Sequence, residues 1–369
     1  MASARVFRTV GVPPELEDLP EASDPDTLRV AVSFGGVCGT DVHLIHGRLP
    51  IPRPIVLGHE GVGRVEHVGA GFLDASGGRD LRAGDRVAWA SNIPCGSCEF
   101  CTVRAQETLC AARRIYGINQ PLDAAPQPSG SWSTRITLQS GTTVVRIPDE
   151  VSDEAAISLG CAGPTVVHGL RHTVLDRGAS VLVQGSGPVG YAAAMFARLM
   201  GAGRITMFGG PEARLEQALR SGIADETVDI FEHDHRERSE MSGTDGAGGG
   251  PFDLVIECTG IPGAVAEGIE YCRRGGSYLV LGQYTDNGDA TFNPHLITRK
   301  QLRVDGSWAF GPRDFLAYVD ALPRLVEMFD VGSLVRTFAL SDLDAALEAV
   351  AAGTCVKAAL APDEAVVSR

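Results

Sequence analysis

Two sets of metal-ligand residues fall within the first 161 positions, and they constrain this chain more than any other feature. Cys95-Gly-Ser-Cys98-Glu-Phe-Cys101 is followed after eight residues by Cys110. Four thiolates at that spacing suit a closed, tetrahedral zinc that orders the loop around it. The second set is scattered: Cys38 in Gly-Val-Cys-Gly-Thr-Asp-Val-His, His59 in Gly-His-Glu, and Cys161 in Leu-Gly-Cys-Ala-Gly-Pro-Thr. Two sulfurs and one imidazole leave a position open, and open zinc sites do chemistry. Glu60 is either a further ligand or a charge behind the ligands. Asp41 is a candidate to accept the other imidazole N–H of His59, a partner that metal-bound histidines usually require. Thr40 and His43 flank Cys38 and offer a route for a proton to solvent.

Composition narrows the class. A chain of 369 residues fits about two domains. Its 44% hydrophobic and 21% charged residues are ordinary for a globular protein. The formal net charge of −14, with no basic stripe, argues against a nucleic-acid partner. No apolar run reaches the ~18–20 residues of a membrane span, so no membrane role is expected. The start, Met-Ala-Ser-Ala-Arg-Val-Phe-Arg, has no signal-peptide apolar core. Nine cysteines in that setting point to a reducing, cytoplasmic location and to metal rather than disulfides. Cys258, Cys272 and Cys355 stand outside the two sets and read as buried packing.

Residues 1–160 read as short strands and loops. Leu28–Phe34 and Gly61–Gly69 alternate at period two, and Asp85–Ala90 follows a Gly-Asp turn. Residues 74–80 and 119–130 look like surface-loop insertions. From Gly163 strands alternate with helices: a strand at Ser180–Gln184, a helix at Val189–Met200, a strand at Arg204–Phe208, a helix at Ala213–Gly222. A strand at Phe252–Glu257, a helix at Ala264–Cys272 and a strand from Gly276 follow. That is an α/β, doubly wound parallel sheet. Residues 242–251 read as a flexible connection, and the tail as one helix at Leu340–Ala352 and a strand at Val356–Leu360.

Between the first strand and first helix of this series lies Gly185-Ser-Gly187-Pro188-Val189-Gly190. In that context Gly-x-Gly-x-x-Gly binds a dinucleotide pyrophosphate at the helix N-terminus. The acid that usually ends the second strand and bonds the ribose of NAD is missing; Gly209 stands there. NADP is then not repelled. Arg214 is a candidate partner for its 2′-phosphate or a solvated helix residue, and Glu212 a substitute for the ribose contact. An Asp installed at position 209 is expected to favour NAD.

At these residues the chain resembles the zinc-dependent medium-chain alcohol dehydrogenases, over nearly its whole length. Gly36–His43, Gly58–Gly63 and Gly160–Thr165 resemble the segments that carry the family's catalytic zinc ligands, and Thr165 falls on a position near the nicotinamide. Gly353-Thr-Cys-Val-Lys-Ala puts Lys357 on a basic position near the cofactor pyrophosphate. Gly39, where liver-type enzymes carry an arginine, makes the polyol and secondary-alcohol branch the closer match. The resemblance implies a GroES-like β-barrel catalytic domain from 1–162 and 309–369, and a Rossmann domain at 163–308. It implies one catalytic and one structural zinc, NAD or NADP, and reversible hydride exchange with a small alcohol or carbonyl substrate. A homodimer or homotetramer is expected. Leu49, Ser91, Tyr116, Ile118 and Trp308 are pocket candidates by position. Gly282–Gly288 and Asn293-Pro-His295 look subfamily-specific. Two rival readings stand beside this one: a zinc lyase or hydrolase with a tightly held nucleotide, and a non-catalytic nucleotide-binding descendant. Retention of Thr40 and His43 beside the ligands weighs against the second.

Overall fold

The computed structural model describes residues 1–364 apart from 22–23, 125, 242 and 244–249. The connection read at 242–251 therefore lies mostly outside the described residues. The chain divides into two compact units, Met1–Pro164 with Phe310–Arg369, and Thr165–Ala309.

The first unit is built on the strand Leu28–Val37, which pairs antiparallel with Gly61–His67, Arg135–Leu138 and Lys357–Ala361. Its even-numbered residues Leu28, Val30, Val32 and Phe34 are buried, as a half-buried strand requires. Leu28, Val30 and Val32 pack with Val65, Val87, Trp89 and Ile136 in one apolar cluster. The pairing of Ala358 with Val37 and Ala359 with Gly36 matters most for function. It brings the far end of the chain beside the segment that carries Cys38.

The tail holds more helix than its sequence suggests. Besides Leu343–Ala351, a 17-residue helix spans Pro312–Met328 and buries Phe315, Tyr318, Val319, Leu322 and Leu325. Pro312 sits at the permitted first turn, but Pro323 lies in the interior, where proline normally ends a helix. That breaker hides the i, i+3, i+4, i+7 pattern.

The second unit is a parallel sheet. Its strands are β1 (Ser180–Gln184), β2 (Arg204–Gly209), β3 (Glu226–Asp229), β4 (Phe252–Glu257), β5 (Cys272–Val280) and β6 (Arg303–Gly306), in the order β3-β2-β1-β4-β5-β6. This is the doubly wound arrangement, with the order reversing between β1 and β4. Helices α1 (Pro188–Leu199), α2 (Glu212–Arg220) and α3 (Pro262–Tyr271) follow β1, β2 and β4. The edge strands β3 and β6 have four residues each, and Val228 is their one buried residue, so no apolar run announces them. β5 begins at Cys272, where the sequence suggested a helix end.

Candidate metal centres and nucleotide loop

The four-cysteine lobe is closed on itself. The sulfurs of Cys95, Cys98, Cys101 and Cys110 all lie within 4.8 Å of one another. Cys98 and Cys101 are 3.5 Å apart, and Cys95 and Cys101 3.9 Å. A tetrahedron with metal–sulfur bonds of about 2.3 Å has edges of about 3.8 Å, so the donor set fits zinc. The short helix Glu99–Thr102 turns Cys98 and Cys101 toward one point. Backbone N–H groups of Cys98 and Cys95 donate to the sulfurs of Cys95 and Cys110, both at 3.4 Å. The N–H of Ser97, its hydroxyl and the N–H of Cys98 pull the Cys95 thiol down to about 6. Thiolate is the form that binds metal. All nine cysteines of the chain are free.

The second centre assembles from three separated segments. Cys38 caps the helix Gly39–Ile45, and its backbone N–H donates to Asp41 Oδ2 at 2.9 Å. Asp41 is fully buried, and its other oxygen lies 3.2 Å from His59 Nδ1. That contact fixes the ring and turns Nε2 toward Cys38 Sγ at 3.3 Å. Cys161 interacts through its thiol with both Cys38 and His59. Facing Cys161 and His59 holds the Cys38 thiol well below its ordinary value. Burial opposes charge on His59, but Asp41 and Cys38 outweigh it and raise the imidazole. The Cys38 sulfur, a His59 ring nitrogen and a Glu60 oxygen lie within 4.8 Å of one another, a donor set that suits zinc, and the Cys161 thiol is the neighbour of Cys38 and His59.

Glu60 completes this neighbourhood. One carboxylate oxygen is 3.9 Å from His59 Nε2. Both are bonded by Lys357 Nζ, at 2.6 and 2.5 Å, and Oε2 also accepts the Cys161 N–H at 3.0 Å. Lys357 is 2% exposed. The side chain that sequence reasoning aimed at a pyrophosphate thus spends its ammonium on Glu60. The signal was there in kind, a lone lysine in an apolar strand, but its partner is 297 positions away. Thr40 and His43 are three apart on the same helix, hence on one face, and both are partly exposed. Burial, then Arg48, lowers the His43 imidazole.

Among the pocket candidates, Tyr116 is fully buried and its hydroxyl is taken up by Thr142 and the N–H of Gln139. It serves packing and not a pocket wall. Ser91 is also buried. Leu49 and Ile118 pack partly against an apolar cluster, and Trp308 stacks on Tyr284 with ring centroids 4.7 Å apart.

In the second unit the glycine loop leads from β1 into α1, with Gly187 as N-cap and Pro188 in the first turn. A Cβ on Gly190 would lie 1.9 Å from the Gly185 carbonyl oxygen, so only glycine lets the helix meet the turn. No heavy atom would crowd a Cβ on Gly187, which leaves its backbone approachable. Ser186 is a residue that sequence reasoning passed over. Its hydroxyl donates to the Gly210 carbonyl at 2.8 Å and accepts the Gly210 N–H at 2.9 Å, tying the loop to the end of β2. A Cβ on Gly209 would stand 2.5 Å from the Ser186 oxygen and 2.8 Å from its backbone nitrogen. An aspartate at position 209 therefore disturbs the loop itself, which corrects the expectation that it would simply select NAD. Arg214 is partly buried on α2, its carbonyl accepting from Tyr191, and Glu212 is exposed. Thr165 lies on the helix Ala162–Leu170, partly exposed. Among the described residues no helix is long and apolar enough to cross a membrane.

Comparison with known proteins agrees with this chemistry. Residues 24–149 match the alcohol dehydrogenase GroES-like domain, and residues 188–324 the zinc-binding dehydrogenase domain. The chain is similar to 5-exo-hydroxycamphor dehydrogenase from Pseudomonas putida, at 33% identity over 90% of this chain and 91% of that one. It is also similar to sorbitol dehydrogenase from Halalkalibacterium halodurans, at 30% identity over 91% of each. A solved structure of a zinc-binding dehydrogenase from Sinorhizobium meliloti bound to NADP superposes with a TM-score of 0.84, covering 98% of this chain and 99% of that one at 26% identity. Both domain matches and these relatives point to one group of enzymes, and the chain belongs to the zinc-dependent medium-chain alcohol dehydrogenases.

Proposed function

We propose that this enzyme interconverts a secondary alcohol or polyol with its carbonyl compound, using NAD or NADP. Residues 1–162 and 309–369 form its catalytic domain, and 163–308 its nucleotide domain. The observation that carries the reading is the Cys38–His59 pair with Asp41 fixed on the far imidazole nitrogen. Cys38, His59 and Cys161 hold the catalytic zinc; Cys95, Cys98, Cys101 and Cys110 hold the structural one. When bound, the first ion supplies Lewis acidity toward a substrate oxygen, and the nicotinamide supplies hydride exchange. The remaining work belongs to the chain. Asp41 orients His59. Lys357 and the Cys161 N–H hold Glu60, so its carboxylate stands behind the ligands as a fixed charge. Thr40 and His43 line one helix face along which a proton reaches solvent. Gly187, Val189 and Gly190 present backbone N–H groups to the pyrophosphate, while Gly185 makes the turn and Pro188 starts the helix. The protein works as a homodimer or homotetramer in a reducing cytoplasm.

A panel of secondary alcohols and polyols, followed at 340 nm with both cofactors, tests the reading. Reduced nicotinamide should accumulate with at least one class. No reduction with any alcohol, together with lyase or hydrolase turnover, would overturn it.

Cofactor discrimination should be modest. Gly209 neither bonds a 2′-OH nor repels a 2′-phosphate. One ribose contact whose loss strands a buried polar group is worth on the order of 1–3 kcal/mol, or ~5–150-fold. The ratio of kcat/KM for the two cofactors is expected within that range. A preference for NAD of several thousandfold would show that another group, such as Glu212, does the selecting.

The two zinc ions should also differ in lability. Four thiolates in a closed lobe hold metal with ~10–16 kcal/mol in small peptides. The site of Cys38, His59 and Cys161 has fewer thiolates and an open position. Metal analysis during chelator treatment is expected to start at two zinc per chain and pause at one.

A further inference from the structure

Glu257 ends β4 and is completely buried. Its cross-strand neighbours are Gln184, the last residue of β1, and Val280 of β5. The N–H of Cys258 donates to the Gln184 carbonyl at 2.8 Å, so the segment after Glu257 runs beside the start of the glycine loop. Its Oε1 accepts the N–H and hydroxyl of Thr259, both at 2.6 Å, and the N–H of Gly260 at 2.9 Å. Its Oε2 accepts the N–H of Gly282 at 3.1 Å. Every contact is with a donor, the pattern of an ionised carboxylate. Every donor is neutral. Among the described residues no lysine, arginine or histidine pairs with it.

A buried anion without a counter-ion is costly, and an apolar side chain would fill the space at less expense. Neutral donors hold its position without cancelling its charge. The segments it ties together, 259–260 and 282, leave the carboxyl ends of β4 and β5. Open parallel sheets bind their ligands at that edge, near the point where strand order reverses. Here the reversal lies between β1 and β4, and Glu257 stands at it.

We propose that Glu257 selects the oxidation state of the bound cofactor. The oxidised nicotinamide ring carries a positive charge and the reduced ring none. A fixed negative charge in the crevice favours binding of the oxidised form over the reduced one, so the oxidised cofactor loads more readily and the reduced one leaves more readily. This rests on the nicotinamide-dependent reading above. In a medium of effective dielectric about 20, unit charges about 10 Å apart shift an equilibrium by on the order of tenfold.

The test is calorimetric titration of the zinc-loaded enzyme with both oxidation states of one cofactor, in wild type and Glu257→Gln. Glutamine keeps the carbonyl acceptor and the volume and removes the charge. The expected result is about tenfold weaker binding of the oxidised form, with the reduced form changed by less than about threefold. Equal weakening of both forms, or no change, would overturn the proposal and leave Glu257 as a tie between loops. Wild type that binds neither form would instead refute the nucleotide reading itself. If Glu257→Gln does not fold, Thr259→Val serves in its place. It removes one donor and keeps the charge, so the ratio should move about two- to threefold toward the oxidised form. An unchanged ratio, or one that moves the other way, would equally overturn the proposal.

Discussion

Cys38→Ser is expected to lower kcat/KM by about three orders of magnitude or more, equivalent to ~4 kcal/mol of transition-state stabilisation. Zinc content should fall from two per chain to one. Thermal unfolding and cofactor affinity should change little, because the glycine loop belongs to a separate compact unit. His59→Ala should lose turnover and zinc alike, but with a loss of stability that Cys38→Ser does not show, since it also strands buried Asp41. His43→Ala should be much milder. Its ring is partly exposed, so water or buffer can take over a proton transfer there. Steady-state rates at 340 nm with metal analysis on the same preparations check all three. Full turnover in Cys38→Ser would refute the zinc assignment.

Lys357→Met is expected to destabilise the fold by about 3–5 kcal/mol, because it strands the Glu60 carboxylate in the interior. Methionine keeps much of the length and apolar contact of the lysine stem, so the loss reports charge rather than packing. Burial opposes the Lys357 charge, yet Glu60 outweighs it and keeps the ammonium protonated. Adding Glu60→Gln should recover part of the loss, since the remaining group is neutral and keeps an acceptor for the Cys161 N–H. Urea denaturation of the single and double variants gives the coupling energy. A loss under about 1 kcal/mol in Lys357→Met would mean that Glu60 finds another partner or water, as at a solvated site.

What could be read in the sequence was local. The strand, glycine loop and helix at 180–199 are contiguous, and the order of apolar runs and small residues reports them directly. The four-cysteine lobe spans only 16 positions and carries its ligand spacing openly. Asp41 could be matched to His59 because metal-bound histidines need such a partner, not because of any spacing. What could not be read depends on tertiary approach. Lys357 meets Glu60 only because the last strand pairs with Leu28–Val37. Ser186 reaches Gly210 across the ends of two parallel strands, and that clasp decides which side chains position 209 admits. Glu257 is the last residue of an apolar strand; that the loops give it only neutral donors among the described residues appears once they are placed. The helix Pro312–Met328 was hidden by a proline that local propensity counts as a breaker and tertiary packing overrides.

Turnover should depend on the metal that Cys38, His59 and Cys161 hold. The most direct measurement follows the rate of nicotinamide reduction against zinc per chain as a chelator removes the more labile ion. Activity should fall in proportion as the content drops from two to one, with circular dichroism unchanged, and return with one added equivalent of zinc. Undiminished turnover at one zinc per chain, with the four-cysteine site shown to be the one still filled, would contradict it.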